Sequence, residues 1–373
     1  MTTIDGVEDT SDYRSPLLDL DGAVAAAPDD PQHRGVDVAG VAWHYGDPFG
    51  EQRAIGSGGV WIDRSQRRVL KVSGPDAAEY LNNLLSQQLI DAADGFTAEA
   101  LDLDAQGHVA HHAFVSVTGS EFYLDLPAGP AASLKSYLEK MVFWAQVTIE
   151  EPPLGVVTVL GGSLPTGLDA ATLSRRVDWL GPERWDVLVD RGQVARVAEQ
   201  LSAAGLRPAG LMAFTAERIK ALEPEQEADL DHKSIAHEVA HWIGRGDRLG
   251  AVHLHKGCYR GQETVSRVEN VGRSPRLMVL LQLDGSDPQL PAPGTPLQLG
   301  GRAVGRLGSV AHDCDDGPIA LGIVKRSALN RGQLTAGSTA CLVDPDSLPT
   351  DEGEHAGRVA IDRLRAARNQ AEQ

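Results

Sequence analysis

The segment Leu254-His-Lys-Gly-Cys-Tyr-Arg-Gly-Gln-Glu-Thr-Val-Ser-Arg267 concentrates side chains that can do chemistry. Cys258 lies two residues from Lys256 and two from Arg260, neighbours that favour a thiolate. Gly257 and Gly261 flank it and permit positive φ or close approach of a ligand. Gln262 and Glu263 add an amide and a carboxylate, able to bond a polar heterocycle in two directions. Residues 256–276 hold five basic and two acidic side chains, a net of +3, which suits an anionic small ligand. The same residues fit a glycine-turned hairpin with a buried Cys258 and solvated charges. Spacing alone leaves both open.

A second pattern is His237-Glu-Val-Ala-His241, which runs on through Gly244 to Asp247. On a helix capped by Ser234, His237 and His241 share one face and could hold zinc with Glu238 as general base. Ile235, Val239 and Trp242 occupy the opposite face, so the pattern equally describes an ordinary amphipathic helix. His111 and His112 sit in an alternating strand that sends them to opposite faces. With His108 they read as surface histidines, and Glu223, Glu225, Glu227, Asp229 and Asp231 read as a solvated loop. No metal ligands are assigned.

These residues need elements to position them. Apolar spacing predicts a strand over 69–73 and a helix over 76–90, then strands over 100–103, 109–117 and 122–126 and a helix over 131–141. Strands over 156–160, 176–179 and 185–189 and helices over 193–204 and 209–222 follow. From 276 to 343 short strands punctuated by Gly and Pro suggest a small antiparallel barrel or sandwich. Arg358, Arg363, Arg365 and Arg368 mark a solvated tail.

Lys and Arg number 34 against 52 Asp and Glu, giving a net charge of −18. Such acidity argues against a protein that mainly grips nucleic-acid phosphates or anionic membranes. Hydrophobic residues at 42% and charged residues at 23% are ordinary for a globular chain. Three scattered cysteines give no disulfide framework and fit a reduced, cytoplasmic compartment. The acidic start lacks a signal pattern, and no stretch nears the ~18 apolar residues of a membrane span.

Lys256-Gly-Cys-Tyr-Arg-Gly-Gln-Glu263 resembles the K-G-C-Y-x-G-Q-E signature of the YgfZ family of folate-binding proteins, relatives of the glycine-cleavage T-protein. Gly74-Pro75-Asp76, Ser86-Gln87, Arg218-Ile219 with Pro224, Gly301 to Gly305 and Ile319-Ala-Leu-Gly resemble further family segments in order, covering about residues 50–345. The resemblance implies an α+β protein: two mixed α/β domains and an antiparallel β-barrel in a three-domain ring around tetrahydrofolate. Its division would be an arm over 1–50, domains over 51–150 and 151–274, a barrel over 275–345 and a tail over 346–373. It implies a protein supporting iron–sulfur cluster assembly or repair in client enzymes, including those that modify tRNA; composition adds the expectation of a cytoplasmic protein with no direct nucleic-acid or membrane contact. Cys258 and Lys256 would be the reactive residues, and Tyr259, Gly261, Gln262, Glu263 and Arg267 the folate-binding ones.

Ala236 stands where the family has Pro. T-proteins carry an acidic pair where Ala110, His111 and His112 stand, and Gly-Glu-Asp-Gly near Gly181-Pro-Glu-Arg-Trp185. With no carboxylate evident to handle a folate nitrogen, binding without aminomethyl turnover is the expectation. The alternatives are a folate-dependent one-carbon transferase using Glu183 or another acid, and a zinc hydrolase on His237, Glu238, His241 and Asp247.

Overall fold

The computed structural model describes residues 13–286 and 289–349, so the arginines at 358–368 lie outside the described residues. One five-stranded sheet runs in the order Thr97–Leu103, Val109–Thr118, Glu121–Leu126, Arg68–Ser73, Thr148–Glu150, all neighbours antiparallel. Helices Ala77–Leu84 and Ala128–Met141 pack on it, burying Leu81, Leu84, Leu134 and Leu138 against Leu70, Val72, Val115 and Leu124. The first helix ends earlier than its apolar spacing suggests. Leu85 is extended, and the Asn82 side chain accepts from the Leu89 amide at 3.0 Å, turning the chain away.

The second sheet runs Ala171–Val177, Arg184–Asp190, Leu154–Leu160, Val60–Arg64, Arg207–Ala209, with only the last pair parallel. Its second strand bears out the spacing at 185–189, whereas 176–179 overlaps only the end of Ala171–Val177. Every residue of Val60–Arg64 and of Leu154–Leu160 is buried, so each strand needs a neighbour on both edges and cover on both faces. This places Val60–Arg64 in the second sheet although it precedes every strand of the first. The sheets therefore do not divide at residue 150.

Arginines join the two sheets. Arg175 ion-pairs Asp125 of the first sheet and Asp186 of the second, and donates to Ser116 at 3.1 Å. Arg184 reaches Asp186 and Glu223, each at 2.8 Å. Arg218, 1% exposed, holds Asp229 at 2.8 Å and Ser309 of the barrel at 2.7 Å. The acidic cluster at 223–231 is thus only partly solvated. Glu223, Glu225 and Asp229 are buried, because guanidinium groups taken out of water require counter-charges beside them.

The barrel closes through Arg276–Leu283, Gly317–Lys325, Arg302–Asp313, Pro296–Leu299, Leu334–Ala336 and Thr339–Val343, which pairs back to the first strand. Alternation divides its side chains. Leu277, Val279 and Leu281 fill the barrel core. Met278 and Leu280 point outward into a cluster shared with Leu101, Leu103, Ile219 and Trp242. Each of the three bodies therefore touches the other two. At the start of the described chain, Leu17, Val38 and Val41 are buried and Tyr13 bonds Ser65 at 2.6 Å, so this segment is packed on the second sheet.

Candidate functional site

The 254–267 segment is a loop running into the helix Gln262–Val271, so the hairpin alternative does not hold. Gly261 caps the helix at φ +80°, and a Cβ there would stand 2.6 Å from the Asp104 carbonyl oxygen. Gly257 has neither feature, so only one of the two glycines is needed for its backbone freedom. The Lys256 ammonium donates to the carbonyls of Asn82 (2.5 Å), Leu85 (2.5 Å) and Gln87 (2.8 Å). The first two stand at the end of Ala77–Leu84, where carbonyls lack helical partners, and the third lies in the turn that follows, so Lys256 ties the loop to the first domain. Burial pushes its amine down to about 8, while the three carbonyls favour the charged form. Arg260 donates to the Leu103 carbonyl at 2.5 Å and to Asp102 at 2.8 Å, and lies over the Tyr137 ring. Lys256, Tyr259, Gln262, Glu263 and Arg267 line an open cleft of about 850 Å³, and Cys258 is exposed.

The segment at 236–242 is not an α-helix. Two 3-10 turns, Ala236–Glu238 and Ala240–Trp242, are separated by an extended Val239. His237 pairs with Glu269 at 3.1 Å, and Glu238 with Arg276 at 2.8 Å. The zinc-helix geometry therefore fails: the flanking partners pull His237 and Glu238 in different directions, and no common ligand face forms.

His241 instead enters a cavity of about 160 Å³ between the sheets, lined also by Glu99, Phe114, Arg176, Asp178 and Arg248. The fully buried Trp242 sets this position, donating its indole N–H to Glu99 Oε2 at 2.9 Å. The His112 Nε2 contacts the same oxygen at 2.7 Å. Among the described residues Glu99 Oε1 and both His241 ring nitrogens have no hydrogen-bond partner. Burial pushes the Glu99 carboxyl up, but the hydrogen bond and charge of His112, then the charge of His241 and the Trp242 N–H, outweigh it and hold the carboxyl at about 2. Burial moves His241 the other way, below its usual value, against the pull of Glu99 and Glu223. Arg176 and Arg248 stand at the lining with loose carboxylate contacts, 3.7 Å to Glu183 and 3.8 Å to Asp178. A hydrogen-bonding heterocycle fits the inner end, and an anionic extension fits the arginines.

His111 and His112 are not free surface groups. His111 bonds Asp102 at 2.8 Å directly across the strand pair, and His112 is 6% exposed. Sequence reasoning also missed Glu99 and Asp102. Alternation in Val109–Thr118 puts His112 and Phe114 on one face, a signal that a polar cavity edge lies there.

Comparison with known proteins fits this geometry at two levels. The fold is that of the aminomethyltransferase class: the glycine cleavage system aminomethyltransferase T of Bartonella henselae superposes with a TM-score of 0.70 at 19% identity, covering 88% of this chain and 94% of that one. Residues 276–350 match the model described as CAF17, C-terminal beta-barrel domain. Among named relatives, the chloroplastic protein At1g60990 of Arabidopsis thaliana is 23% identical over 307 residues, 75% of this chain and 68% of that protein. The mitochondrial iron–sulfur cluster assembly factor IBA57 homologue of Pyricularia oryzae is 26% identical over 212 residues, 55% of this chain. The match spans about half of that relative, 53% of its length. No helix among the described residues is long and apolar enough to cross a membrane.

Proposed function

We propose that this protein binds a reduced folate in the cavity between its two sheets and supports iron–sulfur cluster assembly or repair in client enzymes. The observation that carries the reading is the pairing of Glu99 Oε1 and the His241 ring, both without protein partners, at the inner end of a cavity edged by Arg176 and Arg248. The heterocycle of a folate would meet Glu99 and His241, and its glutamate tail the arginines. Likeness to IBA57 homologues supports the cluster-assembly part. Cys258, exposed and adjacent in the chain to Tyr259, is the residue available for sulfur or cluster chemistry, and Tyr259, Gln262, Glu263 and Arg267 line the neighbouring outer cleft.

Aminomethyl transfer is the second reading, since carboxylates do stand beside the strand that lacks the expected acidic pair. Both oxygens of Asp102 are engaged, by His111 and Arg260, which leaves binding as the better conclusion. Depleting the protein in cells should lower the activity of iron–sulfur enzymes without lowering their polypeptide levels. Wild type should restore that activity and Cys258→Ser should not. Unchanged cluster enzymes after depletion would overturn the cellular role. Tetrahydrofolate-dependent formaldehyde release from a glycine-like donor would establish the transferase instead.

A further inference from the structure

We propose that Glu99 and His241 together read an amide-like heterocycle edge, and that the site accepts its ligand only while the His241 imidazole is neutral. The inference rests on the reading of this cavity as the folate site, and it names the residues and protonation state that select the ring.

Trp242 and His112 both bond Glu99 Oε2, which fixes the carboxylate plane and leaves Oε1 without a hydrogen-bond partner among the described residues, on a residue that lines the cavity. The loop bearing His241 is sewn to the first domain: the Ala251 and Val252 amides donate to the Trp242 carbonyl at 2.7 and 2.8 Å, and Gln87 donates to the Gly250 carbonyl at 2.9 Å. His241 therefore sits on a braced turn. A neutral imidazole offers one N–H and one lone pair, whereas an imidazolium offers two donors. An edge that presents an N–H beside a carbonyl, as a 2-amino-4-oxopyrimidine does, gives its donor to Glu99 Oε1 and takes the His241 N–H. Protonated His241 would instead turn its charge on the Glu99 carboxylate, and both readers would be consumed. The groups that bias this choice are Glu99 and His112 of the first sheet, Glu223 after the helix Leu211–Lys220, Arg176 and Asp178 at the second sheet, and Asp247 and Arg248 of its own loop. Burial favours the neutral ring.

The test is anaerobic binding of tetrahydrofolate, and of a tetrahydropterin lacking the aminobenzoylglutamate tail, from pH 5.5 to 8 on wild type, His241→Asn and His241→Gln, with thermal melting as the folding control. The expected result is a wild-type affinity for both compounds that weakens below the imidazole's titration, approaching ~10-fold per pH unit, and folded variants that bind ~10-fold more weakly with a flat pH profile. Saturable wild-type binding with no pH dependence, or variants matching wild type in affinity and slope, would overturn the role of His241 while leaving the folate site standing. Wild type binding neither compound at any pH would overturn both.

Discussion

The indole N–H of Trp242 and the carboxylate of Glu99 meet at 2.9 Å, joining a loop turn to the edge strand Thr97–Leu103 of the first sheet. Trp242 is fully buried, and its ring lies 4.9 Å from that of His112, whose Nε2 shares the same carboxylate oxygen. One interaction thus fixes the loop, orients Glu99 and sets His241 beside it.

Glu99 gives the chain an acid-sensitive contribution to stability. Its carboxyl sits at about 2 in the folded protein against an ordinary 4.5. As pH falls, the unfolded chain takes up this proton first. The contribution is full above pH ~4.5 and is lost as pH drops toward ~2, on the order of 3 kcal/mol. Urea titrations from pH 6 to 2.5 should show a shallower loss for Glu99→Gln than for wild type. Equal slopes would contradict the assignment.

The two motif glycines should behave differently. Gly261→Ala must place a side chain at φ +80° and 2.6 Å from the Asp104 oxygen, for a cost of ~2 kcal/mol or more. A Cβ at Gly257 meets nothing within 4 Å, so Gly257→Ala should change stability by less than ~0.5 kcal/mol. Denaturant midpoints of the two variants decide this.

Lys256→Met removes the donor that three carbonyls share, so it should destabilise the protein by ~1–3 kcal/mol. Lys256→Arg should not restore that stability, because a planar guanidinium cannot converge on three oxygens as an ammonium does. Cys258→Ser, at an exposed position, should melt as wild type does. A Lys256→Met variant of wild-type stability would show that its ammonium is free for ligand chemistry.

The three thiols should separate by rate. Cys258 is exposed, Cys314 is partly covered and raised by burial and by Asp313 and Asp315, and Cys341 is fully buried with its thiol pushed up to about 11. With an aromatic disulfide reagent at pH 8, one thiol should react fast, one slowly and the third only on unfolding. Two fast thiols would contradict the described environment of Cys314.

Much of the architecture is legible in local patterns. The alternation of Leu277, Val279 and Leu281 with Met278 and Leu280 marks a barrel strand covered on both sides, and the leucine spacing before Leu85 marks a helix. The site is less legible because its pairs are long-range. Glu99 finds His112 only through the register of two strands, and Arg218 and Asp229 find Ser309 only once the chain folds back through the barrel. His237-Glu-Val-Ala-His241 misleads for the same reason. Helical spacing is a local signal, whereas Glu269 and Arg276, which draw His237 and Glu238 apart, lie some thirty residues on.

The most direct test of the central claim is anaerobic calorimetric titration of wild type and Glu99→Gln with tetrahydrofolate at pH 7.5. The account predicts saturable binding of one ligand per chain to wild type, weakened ~10-fold or more in Glu99→Gln with the fold intact. Absence of saturable binding, or equal affinity in the two proteins, would contradict it.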